Sequence, residues 1–260
     1  MRQVGFFQAG CIGLSLLVTF LLVFAIAALF LVPDLSDVWE NLRSDEMRFS
    51  LKLSLATGII STLLVMVFAL PIGYALSRFD FPFKGFVKTI LDLPVAFPEL
   101  VLGLCLLLLF GNTVVGRLFS ALGLQFVFTK QGVVAAQFFT ALPYASRILK
   151  STFDYIDPRL EFVSRSLGYS QMETFFNVSL PLAKNGILAS TVISFARCIG
   201  TFGTVLILAG GTYMKTEVLP MTLYLNISYG NMGMALTSGI VLTTVSFVAI
   251  YIFEKTEAGI

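Results

Sequence analysis

Few side chains in this sequence can do chemistry, and they are unevenly placed. Arg197 is the only basic residue deep inside an apolar run, within Phe195-Ala196-Arg197-Cys198-Ile199-Gly200-Thr201-Phe202-Gly203. Glu99 stands at the head of another such run, just after Pro94 and Pro98. An ionisable group in an apolar segment is costly and usually faces a pathway or a partner. Facing a path, Arg197 would attract an oxyanion. Otherwise it forms a structural pair, for instance with Glu99, or meets a neighbouring subunit. Glu99 has a simpler explanation, because a carboxylate near a helix start is stabilised by the helix dipole. Gly200 and Gly203 put two small residues on nearby helix faces, which suits close helix contact or a gate. Arg197, Gly200, Thr201, Gly203 and Glu99 are therefore the candidate path or gate residues.

A second cluster lies in residues 153–181. Asp157 can cap a helix that starts at Pro158. Glu161 and Arg165 stand four apart, in the favourable order for a helical ion pair. Gly168 can end that helix in a left-handed conformation. Ser170 and Glu173 then have the spacing of a capping box for a second helix. A plain connection needs only a few residues. Two short capped helices with a glycine corner suit a docking surface, or an amphipathic segment resting on lipid.

Other chemistry is excluded. There is no histidine, so His-based triads, His-ligated zinc and imidazole proton shuttles are out. Cys11, Cys105 and Cys198 lie singly in apolar stretches and read as small packing residues. No Gly-x-x-x-x-Gly-Lys-Ser/Thr loop exists, since Met214 precedes Lys215-Thr216. The chain binds no ATP by that route, and it is expected to carry no catalytic residue, cofactor or metal. The net charge of +2 forms no concentrated basic patch, so nucleic acid is not an expected partner.

The elements that hold these residues must sit in a bilayer. Of 260 residues, 57% are hydrophobic and 12% charged, against about a quarter charged in soluble domains. A spanning helix needs about 20 apolar residues. Six runs qualify: 4–32, 49–76, 93–111, 131–149, 182–211 and 232–253. The first is longer than the apolar core of a signal peptide and is expected to remain as a span. Ten Lys and Arg residues fall on one side of this arrangement and six on the other, with Arg197 left over. The richer side, which holds both termini, is expected to be cytoplasmic. No repeat appears along the chain, nor a pair of unusually interrupted helices.

Leu160-Glu161, Arg165-Ser166-Leu167-Gly168 and Ser179-Leu180-Pro181-Leu182 resemble the EAA loop of ABC importer permeases. Phe162 and Val163 replace the two alanines. The resemblance implies a loop that docks into a cleft of an ATPase subunit, with Arg159, Glu161, Arg165, Gly168, Ser170 and Glu173 as coupling residues. It extends from about 49 to 253. Within it, the segment around Arg197 is similar to the fifth-helix motif of molybdate, tungstate and sulfate permeases. Lys215-Thr216-Glu217-Val218-Leu219-Pro220-Met221-Thr222-Leu223-Tyr224 is similar to the segment that follows in the molybdate branch. Asp92-Leu93-Pro94-Val95-Ala96-Phe97-Pro98 with Gly103 is similar to the start of the third helix. Family members usually carry Glu where this chain has Thr201.

The resemblance implies an all-α membrane protein of type I importer fold, with six transmembrane helices and cytoplasmic coupling helices. Residues 1–260 would form one permease domain: a first span and outer loop over 1–48, a core over 49–253, and the coupling loop over 153–181. It further implies a homodimer in the plasma membrane, two ABC ATPase subunits that hold ATP and Mg, and an extracytoplasmic solute-binding protein. The implied cargo is a tetrahedral oxyanion, molybdate or tungstate first, with sulfate, thiosulfate or another solute as alternatives. An ion-coupled secondary transporter is the competing class. It needs several paired intramembrane charges, and only Arg197 and Glu99 qualify.

Overall fold

The structure is a computed structural model that describes residues 6–258. Arg2 and Val4, which bear on the first span, lie outside that range. Among the described residues every regular element is helical. The longest helices are α1 (Phe6–Leu31), α3 (Asp45–Arg78) and α14 (Met232–Ala258). Their stretches Phe7–Leu31, Asp45–Arg78 and Met232–Ile252 are long and apolar enough to cross a bilayer. Between the first two lies α2 (Leu35–Arg43). Ser44 then caps α3, accepting a hydrogen bond from Met47 N at 3.2 Å.

Two runs expected to be continuous spans are broken. The third divides into α4 (Lys84–Ala96) and α5 (Glu99–Asn112), bent by 118° across Phe97-Pro98. Pro98 has no N–H to continue the helix and forces extended backbone on Phe97, whose ψ is 141°. The fifth divides into α11 (Lys184–Gly200) and α12 (Gly203–Ala209), with Thr201 extended at ψ 120°. Counting each bent pair as one span, including Gln171–Leu182 with Lys184–Gly200 at 73°, gives up to five spans. The expected fourth span is α7 (Lys130–Tyr155). At 26 residues it is about 39 Å long, enough to cross. It misses the apolar criterion because its buried face carries Gln137, Thr140 and Ser146.

That polar face is where the bundle packs most closely. Helix α7 lies between α3 and α11, and small residues let the backbones approach. A Cβ on Gly73 would come within 2.8 Å of Leu149 Cβ, and one on Gly58 within 2.9 Å of Ile199 Cγ1. Ser61 Oγ donates to Gln137 Oε1 at 2.9 Å. The apolar core falls into three parts, the smallest joining Met47, Leu219 and Met234. A second joins Val65, Ala69, Tyr74, Leu149 and Phe153. The third joins Leu102, Leu106, Val133, Val205 and Leu208. The shorter elements decorate the two ends: α6 (Val114–Ala121), α8 (Pro158–Ser166), α9 (Gln171–Thr174), a π-turn over Phe175–Ser179, α10 (Leu180–Leu182) and α13 (Leu219–Ser228).

Candidate functional site

The capped segment forms one end of the bundle. Asp157 accepts from Arg159 N at 2.9 Å, with Pro158 as the first residue of α8. Gly168 turns the chain at φ +97°. Ser170 N donates to Glu173 Oε2 at 2.7 Å, and Glu173 N to Ser170 Oγ at 3.2 Å. The Ser170 hydroxyl and amide beside it hold the Glu173 carboxyl below the usual range. Ser164 and Thr174 hydroxyls, both buried, meet at 3.0 Å and clamp α8 to α9.

Glu161 does not pair with Arg165. Its Oε1 accepts from Arg78 Nε at 2.8 Å and Ser179 Oγ at 2.8 Å, and its Oε2 accepts from Tyr74 OH at 3.2 Å. The pairing runs inward because Arg78, the last residue of α3, lies directly beneath α8. The Arg78 and Glu161 side chains are only 9% and 12% exposed. The outward face is apolar instead: Phe162 is 72% exposed, Leu167 74% and Met172 71%, with Leu160, Val163 and Phe176 beside them. Arg159 and Arg165 are exposed, and among the described residues neither joins an ion pair. Aromatic, Met and Arg side chains with few carboxylates are the composition of a protein interface core.

The two helix breaks meet in the body of the bundle. Glu99 Oε2 accepts from Phe202 N at 3.2 Å and Gly203 N at 2.9 Å, and its carbonyl accepts from Thr204 Oγ1 at 3.1 Å. Backbone donors freed by a break inside a membrane must find partners within the protein, and Glu99 supplies them. Gly203 allows the contact: a Cβ there would lie 2.9 Å from Glu99 Cβ and 3.2 Å from Leu100 N. Thr201 is buried and donates to Arg197 O at 2.7 Å.

Arg197 and Glu99 form no ion pair, so the structural pairing proposed for them is absent. The Arg197 guanidinium sits 4.2 Å from the centroid of the Tyr144 ring, a cation–π distance. It is exposed to a cleft of about 320 Å³ lined also by Glu99, Ile193, Ala196 and Gly200. A Cβ on Gly200 would touch nothing within 4 Å, so this glycine opens onto the cleft while Gly203 seals the break. The structure thus gathers all five candidate path residues around one junction, in different roles. The cleft presents the Arg197 guanidinium together with Glu99, whose Oε2 is held by the two backbone amides.

Sequence reasoning missed Arg78, Tyr74 and Ser179 around Glu161, and Tyr144 under Arg197. Arg78 counted only among the basic residues that set orientation and as the stop of the second apolar run. Its signal was present: a basic residue closing an apolar helix. At the end remote from α8, Glu217 was named only as part of the segment 215–224, with no role given to it. It is fully buried in the segment between α12 and α13. Its Oε2 accepts from Met214 N at 3.1 Å, and its Oε1 has no hydrogen-bond donor. Burial and then the charge of Glu46 push the Glu217 carboxyl upward. Glu46 itself accepts from Asn226 Nδ2 at 2.7 Å.

Comparison with known proteins bears on this geometry. The family described as "Binding-protein-dependent transport system inner membrane component" matches residues 66–257. A molybdate/tungstate transport system permease protein of Methanocaldococcus jannaschii is 34% identical over 210 residues, covering 80% of each chain. Its counterpart in Pyrococcus furiosus is 32% identical over 226 residues, covering 87% of this chain and 84% of that one. A sulfate transport system permease protein of Synechococcus elongatus is 29% identical over 252 residues, covering 95% and 88%. Among solved structures, a bacterial alginate ABC transporter superposes with a TM-score of 0.76 at 16% identity, covering 95% of this chain and 93% of that one. An inward-facing methionine ABC transporter superposes with a TM-score of 0.63 at 18% identity, covering 78% and 91%.

Proposed function

The chain belongs to the family of binding-protein-dependent transport system inner membrane components, the multi-pass permease subunits of type I ABC importers, and on that premise we propose that it conducts molybdate or tungstate. The observation that carries the proposal is the similarity to molybdate/tungstate permeases over four-fifths of the chain. The cleft agrees with it in charge. A tetrahedral dianion leaving water needs a positive group on its route, and Arg197 supplies one at the junction of the two broken helices. Sulfate is the second reading, favoured by the relative in Synechococcus elongatus, since its charge and shape are similar.

In this reading two copies of the chain form the pathway in the plasma membrane. Two ABC ATPase subunits, which hold ATP and Mg, dock on the apolar face of α8 and α9. Arg159 and Arg165 meet carboxylates of that partner. The α8 end and both termini are cytoplasmic, and a solute-binding protein delivers the anion at the opposite end. The chain's own work is positioning. The caps at Asp157, Gly168, Ser170 and Glu173 present a fixed surface to the ATPase, and Glu99 holds the helix break from which Arg197 faces the route. Gly200 leaves the space beside Arg197 clear.

The cargo is tested on the cognate solute-binding protein by thermal shift. Molybdate and tungstate should raise its Tm, and sulfate and phosphate should leave it unchanged. A shift with sulfate alone would move the assignment to the second reading. A shift with none of the four would remove the oxyanion assignment.

A further inference from the structure

The carboxylate of Glu161 points away from the surface that receives the ATPase in the reading above. It is buried against the chain's own α3, bonded by Arg78, Tyr74 and Ser179. Arg78 also reaches past it: its Nη2 donates to Ile156 O at 2.7 Å, at the junction of α7 and α8. One guanidinium therefore fastens the end of α3 both to the loop and to the end of α7. Charge-assisted bonds of this kind are short, directional and stronger than neutral ones. Breaking a buried pair on one side leaves the other charge desolvated and unpartnered.

The chain gives α3 no short covalent route to the loop. Arg78 and Glu161 are 83 residues apart in sequence. From α8 the backbone leads directly only to α7 and to α9. A displacement of α8 reaches α3 through packing, such as Tyr74 on Phe175 at 4.7 Å, through the hydroxyl bonds of Tyr74 to Glu161 and of Ser77 to Asp154 on α7, and through the charged Arg78–Glu161 pair. Packed rings can slide, whereas a bonded guanidinium resists both separation and rotation. What α3 receives it can carry far. Its 34 residues span about 50 Å. At the remote end Ser54 Oγ accepts from Leu219 N at 2.7 Å, and Glu46 holds Asn226.

We propose that Arg78 is a positioning residue for coupling: through Glu161 it makes α3 and the docking loop move as one body. Glu161 is then an internal anchor of the loop and not a contact of the ATPase. The inference rests on the reading that α8 and α9 receive an ATPase, but the link itself can be tested without one.

Spin labels at Val67→Cys on α3 and Leu167→Cys on the loop report the link in the isolated chain, with Cys11 and Cys105 replaced by alanine. The inter-label distance distribution should be narrow for Arg78 and broad for Arg78→Ala. The charge swap Arg78→Glu with Glu161→Arg should narrow it again. Equal widths in all three would overturn the inference and leave the functional reading standing. In proteoliposomes with the ATPase and binding protein, anions moved per ATP should fall roughly tenfold in Arg78→Ala. ATPase co-purification should persist, and the swap should recover transport beyond either single change. Wild-type stoichiometry in Arg78→Ala, or a loss of folding that the swap does not rescue, would overturn it. Failure of the wild-type chain to couple to any ABC ATPase would instead remove the reading beneath it.

Discussion

Glu99 and Arg197 show how two charges at one junction diverge. Glu99 is occupied by the Phe202 and Gly203 amides, while Arg197 keeps its donors toward the cleft. Arg197→Ala should lower anion uptake while leaving unfolding stability within about 1 kcal/mol of the parent, because an exposed cation–π contact contributes that order. Unchanged uptake would make Arg197 a structural side chain. The two glycines should also separate. Gly203→Ala forces a Cβ against backbone and should destabilise by about 1–3 kcal/mol, whereas Gly200→Ala has open space and should leave thermal unfolding nearly unchanged. The sequence showed that these residues belong together. It did not show that Glu99 caps a break 103 positions away, because that pairing is set by tertiary contact.

At the scale of elements, the capped segment of α8 and α9 was legible because its signals are local. Asp157-Pro158, Gly168 and Ser170 with Glu173 each act within a few residues, and each takes the local conformation its type favours. Gly168→Ala places a methyl group at φ +97° with no neighbour to clash. The cost is then conformational alone, about 1–2 kcal/mol. That change should weaken ATPase association without unfolding the chain, as measured by co-purification and Tm. Wild-type association would show that the corner does not set the docking surface. The partner of Glu161 was not legible, since i to i+4 spacing with Arg165 offers a local alternative that burial overrides. The breaks in the third and fifth runs were hidden for a related reason. Thr201 and Phe202 carry no breaker signal, and the apolar pattern continues across them. Pro98 did carry such a signal, and it marks the bend.

For the whole molecule, α3 joins the two ends, with Arg78 at one and Glu46 at the other. The remote end contains a carboxyl, Glu217, held above its ordinary value by burial and by Glu46. The folded state therefore binds this proton more tightly than the unfolded chain does. The resulting stability is fully present below the ordinary Glu pKa of about 4.5 and is lost as pH rises through the raised value. Tm should fall with rising pH across that window, and Glu217→Gln should flatten the slope. An unchanged slope would mean that Glu217 is ionised in the folded protein. The membrane class and the two capped helices of residues 157–174 could be read from composition and caps. The inward polarity of α7 and the joining of the two ends by α3 arise only from packing.

The proposal that this chain is the oxyanion route of an importer driven by a separate ATPase stands or falls on transport itself. Its most direct test is uptake of labelled molybdate into proteoliposomes holding the permease, its ATPase and its binding protein. Uptake should require ATP and all three proteins, be indifferent to dissipation of ion gradients, and be competed by tungstate. Uptake by the permease alone driven by an ion gradient, or no uptake of any tetrahedral oxyanion with the complete system, would contradict it.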